Sequence, residues 1–282
     1  KEGSLVSLEQ LGFHESDYTR FRDIIKRPNG IFLVTGPTGS GKTTTLYAAL
    51  KELNRPDVKI ITAENPVEYN LAGINQCEGR HNIGLDFSRI LRAMLRQAPN
   101  IILVGEIRDK ETAEIAVQAA LTGHLVFSTL HTNDAPGSIT RLIDIGVKPF
   151  LVASAIQAVL AQRLIRTICK NCKEPWVYEM DELKKLGITP QLLEGKTLYH
   201  GAGCEVCKGS GHKGRMGIYE LFEMSTELRE LTFRRASTMQ IAECARQTGG
   251  MVNLQDDGIR KILGGFTSPG EVLGATHAQL SE

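Results

Sequence analysis

The run Gly36-Pro37-Thr38-Gly39-Ser40-Gly41-Lys42-Thr43 fills every fixed position of the pattern G-x-x-x-x-G-K-[ST]. Its three glycines let the backbone curl round an anion, with successive N–H groups pointing inward. A helix starting near Gly41 adds the positive end of its dipole. Lys42 brings a cation to β- and γ-phosphates, and the Thr43 hydroxyl is a ligand for Mg²⁺. Residues Gly36 to Thr43, with Thr44 beside them, therefore read as a nucleotide site. A glycine-rich turn without a ligand is the plain alternative, but an apolar strand precedes the run and a helical pattern follows it.

A second strong signal is Ile101-Ile102-Leu103-Val104-Gly105-Glu106-Ile107-Arg108-Asp109. Four apolar residues in a row read as a strand buried on both faces, with an acid at its end. Downstream of a phosphate loop, such an acid belongs to the apparatus that handles Mg²⁺ and water. Glu106 is accordingly the first choice for general base toward the water that attacks the γ-phosphate. Glu64 and Glu68 follow another expected strand, Val58 to Thr62, where they could hold Mg²⁺ or orient that water. A solvated loop with two acids is the bland reading.

The polar cluster Leu130 to Ala135 also follows a buried strand, Leu125 to Thr129. His131 within it could sense the γ-phosphate, hydrogen-bond a catalytic acid, or be structural. His124, ahead of the same strand, reads as structural or as support for a neighbouring group. Arg92 and Arg96 are four apart on an expected helix from Phe87 to Gln97 and share a face. They form a solvated basic face or reach a phosphate, in their own subunit or a neighbour's.

Four of the six cysteines form two Cys-x-x-Cys pairs, Cys169/Cys172 and Cys204/Cys207, separated by 31 residues. Four thiolates at this spacing close the shell of a structural zinc ion. The gap is longer than usual, so an excursion must lie between the two knuckles.

These residues need an α/β scaffold, and strands and helices do alternate from residue 31 to about 139. Residues 1–30 read as a linker with a helix from Glu15 to Lys26, and 31–166 as the nucleotide-binding core. A tetracysteine zinc subdomain follows at 167–214, then a small helical one at 215–282. Phe150 to Leu164, Ala-rich and apolar, reads as a buried helix. Net charge is +1, and splitting at residue 165 gives 18 basic against 17 acidic residues, then 15 against 15. Neither half is basic enough to suggest wholesale nucleic-acid binding. No stretch approaches the ~18 continuous apolar residues of a membrane span.

Taken together, these motifs make the chain resemble the secretion ATPases of type II secretion and type IV pilus assembly. The carriers are Gly36 to Thr43, the acidic segment Ala63 to Tyr69, Val104 to Asp109, and Thr122 to Asn133. The cysteine pairs resemble those of the assembly branch rather than of retraction motors. The resemblance implies the C-terminal ATPase portion of such a protein: a RecA-like P-loop core, hydrolysing ATP to ADP with Mg²⁺ and carrying Zn²⁺. It implies a homo-oligomer, a hexameric ring, working with an inner-membrane platform protein on the cytoplasmic face, without membrane insertion or nucleic acid. It assigns Glu64 and Glu68 to an acidic box, Glu106 to catalysis, His124 and His131 to a histidine box, and Arg92 and Arg96 to a subunit boundary. An N-terminal domain would precede residue 1. Two departures stand out: Glu64-Asn65-Pro66 where Glu-Asp-Pro is usual, and Gln97-Ala98-Pro99-Asn100 where acids commonly flank the proline.

Overall fold

The computed structural model describes residues 6–277. A 3-10 turn at Leu8–Leu11 leads to α1 (Glu15–Ile25), β1 (Gly30–Thr35), α2 (Lys42–Leu53), β2 (Ile60–Glu64) and β3 (Asn75–Glu78). Then come α3 (Phe87–Met94), β4 (Ile101–Val104), α4 (Lys110–Leu121), β5 (Leu125–Leu130), α5 (Ala135–Asp144), α6 (Pro149–Ala155) and β6 (Ile156–Ile168). The chain continues through β7 (Lys173–Pro175), α7 (Met180–Lys185), α8 (Pro190–Leu193), β8 (Tyr199–Gly201) and β9 (His212–Glu223). It closes with α9 (Thr226–Phe233), α10 (Thr238–Gly249), α11 (Leu254–Leu263) and α12 (Pro269–His277). No helix among the described residues is long and apolar enough to cross a membrane.

Contacts divide the chain into two units, one running to Ala161 and including Leu221–Met251, the other comprising Gln162–Glu220 and the chain from Val252 on. The sequence boundaries at 166 and 214 differ from this division. Helices α9 and α10, expected in one C-terminal subdomain, pack on α6 and α5 and belong to the first unit. Helix α11 belongs to the second, where its Asp257 accepts a hydrogen bond from the Tyr219 amide at 2.8 Å.

The first unit is organised by the sheet, whose strand order is β3-β2-β4-β5-β1-β6-β9. The pairings of β3 with β2, β2 with β4, β4 with β5, β5 with β1, and β1 with β6 are all parallel. Strands β1, β2, β4 and β5 are buried at every residue. The continuous apolar runs of β1 and β4 are as expected of a parallel sheet covered on both faces. Parallel pairing also brings Thr35, Glu64, Val104 and Leu130 to one edge, the carboxyl ends where ligands bind in open α/β sheets.

The segment expected as a helix from Phe150 to Leu164 is helical only to Ala155. Residues Ala158, Val159, Leu160 and Ala161 instead form β6, in register with Phe32, Leu33, Val34 and Thr35 of β1. Alanine favours helix, but the open edge of β1 supplies hydrogen-bonding partners and burial that outweigh propensity. Strand β9, read as part of a helical subdomain, is likewise fixed by pairing.

In the second unit β7 and β8 form an antiparallel pair. A buried ionic cluster ties α11 to β9. The fully buried Asp257 carboxylate takes the Lys261 ammonium in addition to the Tyr219 amide, and Arg260 approaches its other oxygen at 3.7 Å. Removing one partner of a buried pair leaves the other charge uncompensated. Asp257→Ala is therefore expected to cost about 3–5 kcal/mol, read as a lowered urea midpoint. An unchanged midpoint would show that the cluster is not structural.

Candidate active site

Leaving β1, the chain takes positive φ at Gly36 (150°), Gly39 (81°) and Gly41 (88°), a path that side-chain-bearing residues rarely follow. Helix α2 then begins at Lys42, with Gly41 in the left-handed conformation and no side chain capping the helix. Helices α3, α4 and α5 are instead capped by Asp86, Asp109 and Asp134. The uncapped N–H groups at the start of α2 suit an anion. Lys42 folds back across its loop, donating to the carbonyls of Gly36 at 2.6 Å and Pro37 at 3.0 Å. Pro37, Thr38 and Gly39 are exposed at the rim, Ser40 is buried, and Gly41 to Thr44 are half-buried.

A cavity of about 620 Å³ opens beside this loop, lined among others by Thr43, Glu64, Asn65, Glu68, Glu106 and Arg108. At its wall Glu106 stands just past β4, its carboxylate shared between two groups. His131 Nε2 lies 2.9 Å from Oε1, and Arg108 Nε donates to Oε2 at 2.7 Å. The Glu106 side chain is only 16% exposed, against 76% for Arg108. The turn carrying Glu106 is pinned from both sides. The Gly105 amide donates to Ala63 O at 2.7 Å, and Thr129 Oγ1 donates to Gly105 O at 2.6 Å. A Cβ on Gly105 would lie 3.1 Å from Ala63 O and 3.2 Å from the Phe87 ring, so the close approach favours glycine. The His131 loop is held by its neighbour: the Thr132 amide donates to Thr35 Oγ1 at 2.9 Å, and Thr132 and Ser138 hydroxyls meet at 2.9 Å.

Glu64, the last residue of β2, is buried. Its Oε1 accepts the Tyr47 hydroxyl, and its Oε2 accepts Thr62 Oγ1 at 2.6 Å and Gln76 Nε2 at 3.1 Å. Burial, and then the hydrogen bond to Glu64, push the Tyr47 phenol well above its ordinary range. Tyr69 is raised by burial and next by the charge of Glu68. Glu68 itself is exposed on the same cavity. The sequence reading missed Tyr47 and Gln76. Five residues past Lys42, Tyr47 looks like any apolar helix position. Gln76 lies in a half-exposed polar strand without apolar alternation.

Three expected site residues stand apart from Glu106. His124 precedes β5 at the opposite end from His131, and its Nδ1 meets Ala119 O at 2.9 Å. A strand of this length separates the two histidines by ~20 Å. Arg92 pairs with Glu111 at 2.7 Å, both more than half exposed, and Glu111 lines the cavity. Arg96 is exposed beyond the end of α3, which stops at Met94 rather than Gln97. Arg96 thus lies outside the helix that carries Arg92, and two residues on the chain turns at Ala98, at positive φ (50°).

In the second unit the four paired cysteines converge, their sulfurs all within 4.8 Å of one another. Cys169–Cys204, Cys172–Cys207 and Cys204–Cys207 are 3.9, 3.8 and 3.6 Å apart. A tetrahedron with ~2.3 Å metal–sulfur bonds has edges of ~3.8 Å, so the set fits a closed four-thiolate site. Burial opposes ionisation of the Cys207 thiol, but the Cys204 and Gly211 amides outweigh it and draw the group down to about 6. Backbones touch beneath the site. A Cβ on Gly201 would fall 2.0 Å from Gly211 O, so neither turn tolerates a side chain there.

The type II/IV secretion system protein family model matches residues 1–274. Over 276 residues the chain is 48% identical to the type IV pilus assembly ATPase PilB of Thermus thermophilus, covering 98% of this chain and 31% of that protein. It is also 48% identical to type II secretion system protein E of Pseudomonas aeruginosa, covering 99% of this chain and 55% of the relative. The chain thus spans only part of each. Among solved structures, the pilus retraction motor PilT with bound ADP superposes with a TM-score of 0.70 at 27% identity, covering 96% of this chain and 67% of that one. The Legionella pneumophila ATPase DotB, at 22% identity and a TM-score of 0.68, covers 95% and 64% and shares the fold. The α/β fold expected from the sequence is therefore the fold of known motor ATPases, and the chain belongs to the type II/IV secretion system protein family.

Proposed function

We propose that this chain is the ATP-hydrolysing part of a motor that powers assembly of a type IV pilus or a type II secretion pseudopilus. The observation that carries the reading is the placement of Glu106, clamped by His131 and Arg108, on the cavity that Thr43 also lines. The phosphate loop from Gly36 to Thr44 holds the triphosphate, with Lys42 leaving its loop carbonyls for β- and γ-oxygens. The Thr43 hydroxyl would be a ligand for Mg²⁺, which would neutralise phosphate charge. Glu106 accepts the proton of the attacking water, while His131 and Arg108 fix its orientation. Arg92 and Arg96, both exposed, act across a boundary in a hexameric ring. Arginines so supplied are worth ~10³-fold or more in rate. Cys169, Cys172, Cys204 and Cys207 would hold zinc as a structural centre. The ring works at the cytoplasmic face of the inner membrane through a platform protein.

Steady-state hydrolysis measured against protein concentration, with zinc determined on the same sample, tests this reading. Specific activity that climbs with concentration, with zinc bound stoichiometrically, is the expected result. High activity independent of concentration would remove the shared-site element. Absence of hydrolysis by the full-length protein would overturn the assignment.

A further inference from the structure

Glu64 is a buried carboxylate that accepts from three neutral donors, a costly arrangement compared with an apolar side chain of similar size. The donors come from three elements. Tyr47 is on α2, the helix that starts at Lys42. Thr62 is two residues before Glu64 on the same face of β2. Gln76 is the register partner of Thr62 across β3. Gln76 does more than donate to Glu64. Its Nε2 also reaches Tyr69 O at 3.1 Å and the Tyr47 hydroxyl at 3.4 Å, and its Oε1 accepts the Leu71 amide at 2.7 Å. One side chain thus joins the helix bearing Lys42 and Thr43, the carboxylate at the end of β2, and the loop carrying Asn65 and Glu68.

We propose that Gln76 is a positioning residue of the hydrolytic site, fixing the Glu64 carboxylate and the acidic loop relative to the helix of the phosphate loop. The proposal rests on the ATPase reading above. Gln76 does not line the cavity, whereas Tyr47, Glu64, Asn65 and Glu68 do. Its influence on the reaction therefore passes through them. A small displacement of positioned groups suffices to cost ~10²-fold in rate.

The test compares the full-length wild-type protein with Gln76→Leu and Gln76→Glu in steady-state hydrolysis, fluorescent ATP-analogue binding and thermal unfolding. In Gln76→Leu, kcat measured well below the unfolding temperature should fall by about 10-fold or more with analogue affinity little changed, since misplacement costs rate rather than binding. In Gln76→Glu the new carboxyl donates to Glu64 only when protonated. Its kcat relative to wild type should therefore recover as pH is lowered from 8.5 to 6, and Gln76→Leu should show no recovery. Wild-type kcat in both variants would overturn the proposal while leaving the ATPase reading intact. So would losses of kcat that follow unfolding temperature and show no pH-dependent recovery. A wild-type protein that hydrolyses no ATP would overturn both.

Discussion

Replacing Glu106 by Gln should leave nucleotide affinity unchanged and lower kcat by about 10²–10⁴-fold, the range that a general base contributes. Glutamine keeps the length and planarity of the side chain, so the turn pinned by Ala63 and Thr129 has no reason to move. What is lost is the negative charge that draws His131 and Arg108 together and the lone pair that takes a proton from water. The amide can still accept from Arg108 at one end, which preserves the local shape. Lys42 and the glycine loop remain, so a fluorescent ATP analogue should bind Glu106→Gln as tightly as wild type. Hydrolysis at the wild-type rate would move the general base elsewhere in the cavity. Tight binding without turnover also decides whether the protein is a motor or a nucleotide-gated scaffold. A scaffold would support pilus assembly or secretion in the Glu106→Gln strain, and a motor would not.

The second large effect is expected on stripping metal from the tetracysteine centre. Cys169 and Cys207 are buried, and the turns around them meet backbone to backbone at Gly201 and Gly211. Without an ion, the four sulfurs held 3.6–3.9 Å apart lose the bonds that tie the two turns together. Structural zinc contributes about 10 kcal/mol or more in small domains built around it, so chelation or Cys207→Ser should unfold this part of the second unit. Trp176 reports the change conveniently. It is the only tryptophan in the chain, lies between the two cysteine pairs, and stacks on His200 at 4.1 Å. Its emission should shift to the red as zinc leaves. Emission indifferent to complete metal removal would mean that the centre is dispensable for the fold.

Much of the candidate site was legible because its chemistry is local. The phosphate loop is one continuous segment, and Glu106 announces itself at the end of an apolar run. The cysteine pairs reveal themselves by spacing alone. What escaped the sequence depends on partners distant along the chain. Ala158 to Ala161 carries helical propensity and becomes strand because β1 lies open beside it. Gln76 is an unremarked polar residue until Thr62 is placed opposite it. From the residues alone His124 reads as structural or supporting and His131 as open to a role beside a catalytic acid; only the resemblance puts both in one histidine box, and β5 lies between them. The usual aspartate beside Glu64 is here Asn65, which still lines the cavity but carries no charge.

The strand order also sets a timetable for synthesis. β1 sits between β5 and β6, pairing with residues 125–130 on one side and with residues up to Ala161 on the other. A nascent chain that has emerged only through α4 therefore exposes β1 as a strand apolar on both faces, with neither neighbour available. Such non-local parallel pairing is slow to form and prone to aggregate while it waits. The phosphate loop is made early and framed late, so nucleotide cannot help the core to fold until its last inner strand has left the ribosome.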